Sequence, residues 1–125
     1  MKNWIGKTIA LIGLIHTIFG FVVLPNIFRD LLSEGLFNTV NGQLDREFFF
    51  WFIQFGLLLV LFGGFVNWVE QRLDRLPLGL GWTLLAFTAL LVGIMPISGA
   101  WLMLIPAVGI LIQYRKNAPS LTEDD

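Results

Sequence analysis

The sequence predicts an all-α integral membrane protein: a four-helix bundle with a short interfacial helix between its first and second spans. Three observations point there. Apolar residues make up 56% of the chain and charged residues only 14%, against about a quarter charged in a typical soluble domain. Long apolar stretches alternate with short charged segments, the pattern expected where lipid is the solvent. Small residues recur along those stretches at steps of three and four, which suits close helix approach in a bilayer.

At 125 residues the chain is one domain. It is expected to occupy residues 1–116, followed by a polar, acidic tail over 117–125. The first span runs from about Trp4 to Leu24, roughly 30 Å of helix at 1.5 Å per residue. Pro25 ends it. The run is too long for a typical signal-peptide core, and Val22-Val23-Leu24-Pro25-Asn26 offers no small-residue cleavage site, so retention as a span is expected.

Next comes a polar connection with a patterned first half. Ile27, Phe28, Leu31 and Leu32 fall on one helical face, and Arg29, Asp30, Ser33 and Glu34 on the other. Asn26 suits an N-cap and Gly35 a stop. This predicts a short helix lying on the membrane surface, or across the mouth of the bundle. Asn41-Gly42 marks a turn, and Asp45 is placed to cap the following helix.

The second span is expected over residues 48–69, interrupted only by Gln54 and Asn67. The segment from Glu70 to Arg75 reads as a charged loop, and Pro77 opens the next helix. A single helix from Leu78 to Ile112 would be roughly 50 Å long, too long for one crossing. Met95-Pro96-Ile97-Ser98-Gly99 supplies a break, giving spans over 78–95 and 99–114. Pro106 is expected to kink the last one.

Six Lys and Arg residues (Lys2, Lys7, Arg72, Arg75, Arg115, Lys116) then fall on one side and two (Arg29, Arg46) on the other. The bias predicts that both termini are cytoplasmic. Trp4, Trp68, Trp82 and Tyr114 agree as inner-interface anchors, and Trp51 and Trp101 as outer ones.

Three small-residue stripes are candidates for helix seams. The first holds Gly6, Ala10, Gly13, Thr17 and Gly20, the second Gly56 and Gly63, the third Gly79, Thr83, Ala86 and Gly93. Lipid tails are as apolar as leucine, so close backbone approach rather than oiliness favours helix association.

Composition narrows the chemistry. The net charge of −1 provides no basic surface for nucleic acid. With no cysteine and one histidine, thiolate metal sites and disulfides are excluded, and neither a metal site nor a cofactor is expected. No catalytic set is recognisable.

The candidate site is a polar layer inside the outer half of the bundle. His16, Gln54 and Thr88 lie at similar depths, roughly 9–12 Å from the outer ends of their spans at 1.5 Å per residue. Glu47 lies at the mouth of that layer, and Trp51 and Trp101 are placed to line it. Two roles compete for His16. An intramembrane ionisable residue is a candidate ligand or proton site, and a neutral imidazole hydrogen-bonded to a neighbouring helix is interhelical glue.

The segments Trp4-Ile5-Gly6, Gly13-Leu14-Ile15-His16-Thr17-Ile18-Phe19-Gly20, Phe50-Trp51-Phe52, Gly56 and Met95-Pro96-Ile97-Ser98-Gly99-Ala100-Trp101 resemble a group of small bacterial four-span membrane proteins of unknown function. The resemblance implies a bacterial inner-membrane protein and carries over no activity and no functional residue. The leading expectation is a non-enzymatic bundle that binds a small or lipid-like ligand, or a protein partner, at the layer around His16. Besides the bilayer and such a ligand, a second copy in a homo-oligomer is a candidate partner.

The alternative is a subunit of a dimeric transporter, similar in size to the small multidrug-resistance transporters. His16 would then stand in for their first-span glutamate, although the charge bias argues against an antiparallel dimer. A second alternative is a lipid-modifying enzyme using His16 and Glu47 as acid and base.

Overall fold

The computed structural model describes residues 3–117, and every regular element among them is helical. Helix α1 spans Ile5–Val23, α2 Pro25–Ser33, α3 Leu44–Glu70 and α4 Leu78–Ile94. A 3-10 turn at Gly99–Met103 then runs into α5, Leu104–Lys116. Two helices, α1 with 19 residues and α3 with 27, are long and apolar enough to cross a membrane. Helix α4 is apolar but shorter, at 17 residues. The segment expected as a fourth span is divided between the 3-10 turn and the 13 residues of α5. The tail from residue 118, with Lys2, lies outside the described residues.

Helix α1 is the centre of the arrangement. It lies along α3 on one side and against α5 on the other, and α4 packs on α5 and the 3-10 turn. The α1–α3 contact is made where neither helix has bulk. A Cβ added at Gly13 would come within 2.7 Å of the Gly56 carbonyl oxygen and the Val60 nitrogen. One added at Gly63 would meet the Gly6 carbonyl and the backbone of Ala10, and one at Gly20 would meet Phe52 and Ile53. Thr17 fits the same seam because its hydroxyl donates to its own helix, to Gly13 O at 2.9 Å, and exposes no unpaired polar atom.

The core lies toward one end. Ile5, Ile9, Val66, Leu76, Leu84 and Ile110 belong to a single buried cluster that draws on α1, α3, α4 and α5. Trp4 locks α1 onto α5 there, with its ring over Gly109, where a Cβ would collide with it.

Helix α2 covers the other end. Phe28 meets Phe21 of α1 edge-on at 4.8 Å and Phe49 of α3 at 6.1 Å, with Leu31 buried beside them. Its C-terminus closes as the sequence suggests. Gly35 takes φ +87°, while Leu36 N donates to Leu31 O at 3.0 Å and Gly35 N to Leu32 O at 3.2 Å. This is a Schellman ending, which glycine permits at no steric cost.

Four local expectations are corrected. Helix α3 begins at Leu44, not Phe48, and Gln43 rather than Asp45 holds the cap position. Asp45 sits instead in the first turn, where its charge still complements the helix dipole. Pro106 does not kink a long helix. It is the third residue of α5, where a missing N–H interrupts no helical ladder, because the preceding residues form the 3-10 turn. The small residues of α4 do not face a neighbour: Gly79, Thr83, Ala86 and Gly93 are exposed, and Gly79 and Gly93 have nothing near their missing Cβ atoms. The face that packs carries Gly81, Leu84 and Thr88, with Gly81 fitted against Ile110 and Leu111 of α5.

Candidate functional site

His16 sits on the α1–α3 seam beside Gly56, whose missing side chain makes room for the ring. Its Nε2–H donates to the Phe52 carbonyl oxygen at 3.1 Å. A carbonyl can only accept, so this contact fixes the proton on Nε2. The ring stacks on Phe52 with centroids 3.9 Å apart and planes 19° apart, and meets the edge of Phe55 at 5.4 Å. The imidazole therefore welds α1 to α3 through one hydrogen bond and two aromatic contacts.

The other members of the expected layer lie elsewhere. Gln54 is exposed, on the far side of α3 from Gly56. Thr88 is fully buried on α4, and its hydroxyl has no hydrogen-bond partner among the described residues. Helix α4 packs closely on α5 and the 3-10 turn, and its backbone does not approach that of α1 or α3. Trp101 is exposed and donates its indole N–H to Pro96 O at 2.8 Å, which ties off the hairpin between α4 and α5. The structure thus does not gather His16, Gln54, Thr88 and Trp101 into one site.

It does gather Glu47 and Trp51. Both line a groove of about 530 Å³ between the start of α3 and the loop from Leu36 to Asn41, with Phe37 and Phe50 as its other aromatic walls. Phe50 and Trp51 meet edge-to-face at 5.5 Å. The loop wall is held by Arg46. Its guanidinium donates to both carboxylate oxygens of Glu34, at 2.6 and 2.8 Å, and to Thr39 O at 2.7 Å. Arg46 in turn holds the Glu34 carboxyl below the usual carboxylate range, chiefly through that hydrogen bond. Glu47 Oε1 accepts from Gly42 N at 3.2 Å. The groove is therefore built by a charged clasp, with one carboxylate and three aromatic rings among its lining residues.

At the opposite end of α3, Glu70 is a buried carboxylate that sequence reasoning assigned to a charged loop. It is the last residue of α3 and only 7% exposed. Its oxygens accept from Gly6 N at 2.5 Å and Ile5 N at 3.4 Å, so it caps α1 from another helix. A sequence signal exists in hindsight. An acid at a helix C-terminus opposes its own dipole, and the unfilled N-cap of α1, where Trp4 has no capping side chain, is the partner that compensates. Beside Glu70 a smaller cavity of about 170 Å³ is bordered by Arg72, Arg75 and Gln113. Arg72 stacks on Trp68 at 3.9 Å and Arg75 on Tyr114 at 4.0 Å. Among the described residues no group of three His, Asp or Glu side chains is placed to hold a metal ion.

The chain belongs to a family of unknown function, DUF6463, whose model matches residues 1–117. No curated protein and no solved structure matches the chain.

Proposed function

We propose that this member of the DUF6463 family is an integral protein of the cytoplasmic membrane that binds a lipid-like or small ligand without transforming it. In this reading α1, α3, α4 and the segment 99–116 cross the bilayer as a four-helix bundle, with both termini cytoplasmic. The ligand site is the groove of Glu47 and Trp51 at the outer end. His16 serves the bundle as a strut beneath that groove.

The observation that carries the reading is the apolar outer surface of the helices. Leu14, Phe19, Leu61, Phe65, Leu90 and Ile94 are between 51% and 71% exposed. Monomeric soluble proteins rarely expose contiguous apolar patches beyond a few hundred Å². A bilayer supplies the solvent that such a surface requires. The charges support the same frame: residues 8–28, 48–69 and 76–114 hold no Asp, Glu, Lys or Arg.

The exposed aromatics and the carboxylate favour the groove over the His16 layer as the ligand site. Sites that take small ligands combine apolar walls with a few polar groups, and the lining of this open groove, with Phe37, Phe50 and Trp51 beside Glu47, has that composition. His16 already spends its Nε2 proton on Phe52 and its ring face on the same residue, which favours a structural role over proton transport.

Native mass spectrometry of the protein released from lipid nanodiscs tests the assignment. A retained lipid-like or small molecule is expected, lost in Trp51→Ala and kept in His16→Ala. A ligand that survives Trp51→Ala and disappears with His16→Ala would return the site to the His16 layer. The absence of any retained molecule across lipid extracts of differing composition would remove the ligand-binding reading.

A further inference from the structure

We infer that the groove selects ligands carrying a positively charged amine: an ammonium group set against the Glu47 carboxylate and the aromatic faces, with an apolar body along Leu36 and Phe37. The inference rests on the reading of this groove as the ligand site and names the chemistry it recognises.

The charge balance points one way. Glu47 is the one ionisable side chain among the lining residues, and no cation lines the groove. Arg46, its neighbour in the chain, directs its guanidinium to Glu34 and to Thr39 O. Glu47 is half-buried, and only its Oε1 accepts a hydrogen bond, from Gly42 N. Oε2 accepts none from the described residues. A carboxylate half removed from water with a free oxygen favours an opposite charge brought to it.

The walls favour the same ligand. Phe37, Phe50 and Trp51 are 91%, 40% and 68% exposed, so ring surface is available rather than consumed in a core. A cation over such faces is attracted by the ring quadrupole, and an anion is repelled by both the rings and Glu47. In the remaining polar lining, Asn38 Oδ1 already accepts from Asn41 Nδ2, which leaves the Asn41 side-chain oxygen and the Thr39 hydroxyl oxygen to accept from an N–H. Two sources carry this chemistry at a membrane surface: the amine of a zwitterionic phospholipid headgroup, and a soluble amphiphilic amine.

The test uses full-length protein labelled with 5-fluorotryptophan in nanodiscs, followed by fluorine NMR. The Trp51 resonance is the one lost in Trp51→Phe. In phosphatidylglycerol discs, benzyltrimethylammonium is expected to shift that resonance saturably, and its neutral carbon isostere neopentylbenzene to act at least tenfold more weakly. Glu47→Gln, which keeps an oxygen for Gly42 N–H, should weaken the ammonium probe about tenfold and leave the neutral one unchanged. Phe37→Ala, at a ring with little buried contact, should weaken the ammonium probe several-fold even where Glu47→Gln unfolds.

Changing to phosphatidylethanolamine discs separates the sources. A Trp51 shift before any probe is added, with weaker probe binding, identifies the lipid headgroup as the occupant; unchanged probe affinity identifies a soluble amine. Equal binding of the charged and neutral probes, or ammonium affinity unaffected by both variants, would overturn the amine selectivity while leaving a ligand groove. No Trp51 shift with any probe or headgroup would overturn the groove itself as the site.

Discussion

Glu70 offers the sharpest test of how the helices are fastened. Its carboxylate is held by Gly6 N at 2.5 Å and Ile5 N at 3.4 Å, the first two amides of α1. Replacing it with alanine removes the cap, which costs about 0.5–2 kcal/mol at ordinary N-termini. It also removes the charge facing the positive end of α1, worth about 0.3–2 kcal/mol where partly buried. Both amides lie where α1 is buried, so the donors left behind are unsatisfied at about 1–3 kcal/mol for a fully lost bond. Alanine relieves the cost of burying a carboxylate, which offsets part of this.

The net expectation for Glu70→Ala is a loss of about 2–3 kcal/mol. Glu70→Gln keeps an acceptor and loses the charge, so about 1 kcal/mol is expected. Reversible unfolding in mixed micelles reads the free energies, and hydrogen exchange at Ile5 and Gly6 reads the cap. Faster exchange confined to those amides, with alanine costing more than glutamine, is the expected pattern. Alanine and glutamine variants of equal stability to the parent would show that α1 is held by apolar contact alone.

Other perturbations separate the seam, the strut and the clasp. Gly13→Ala should cost about 1–3 kcal/mol, because its Cβ would press on backbone atoms of α3 at 2.7 Å that have no rotamer to yield. Gly64→Ala on the same pair of helices, where nothing lies within 4 Å, should be neutral or stabilising by up to about 1 kcal/mol. His16→Phe should keep the stack on Phe52 and lose about 0.6–2 kcal/mol with the hydrogen bond, measured by the same unfolding series. For Glu34 the folded pKa lies below the unfolded one. The clasp to Arg46 is therefore fully present above the usual glutamate value of roughly 4.3 and is lost as pH falls through the lower folded value. Hydrogen exchange across residues 36–42 should stay slow down to about that pH and accelerate below it, while Arg46→Ala should accelerate it at all pH values.

What the sequence made legible follows the range of the physics involved. Apolar runs and turn residues are local signals, so α1, α2, α4 and the Gly35 stop stand close to where patterning puts them, while the segment expected as the fourth span is divided. The spacing of Gly6, Gly13 and Gly20 indicates close approach, and α3 approaches them with Gly63 at Gly6, Gly56 at Gly13, and Phe52 and Ile53 at Gly20. The same spacing misleads at Ala86 and Gly93, because small residues permit contact without naming a neighbour. Glu70 shows only half of its role locally: an acid at the C-terminus of its own helix opposes the dipole, but its partners, the first two amides of α1, stand 65 and 64 residues earlier in the chain, a pairing that no local pattern reports. His16 was identifiable as a polar residue on a seam, but the carbonyl it bonds to belongs to backbone, which sequence does not distinguish. The groove was half visible, since Glu47 and Trp51 were expected near one another while the clasped loop forming the opposite wall has no helical pattern to follow.

The most direct measurement asks where the two loops lie relative to a membrane. The chain has no cysteine, so single-cysteine variants can be labelled without background. Asn41→Cys and Gln71→Cys place thiols at exposed positions in the loops at opposite ends of α3. With a membrane-impermeant maleimide on intact spheroplasts, Asn41→Cys is expected to label at once and Gln71→Cys only after permeabilisation. Equal labelling of both before permeabilisation, or extraction of the protein from the membrane by alkaline carbonate, would contradict a bundle that crosses the bilayer with both termini inside.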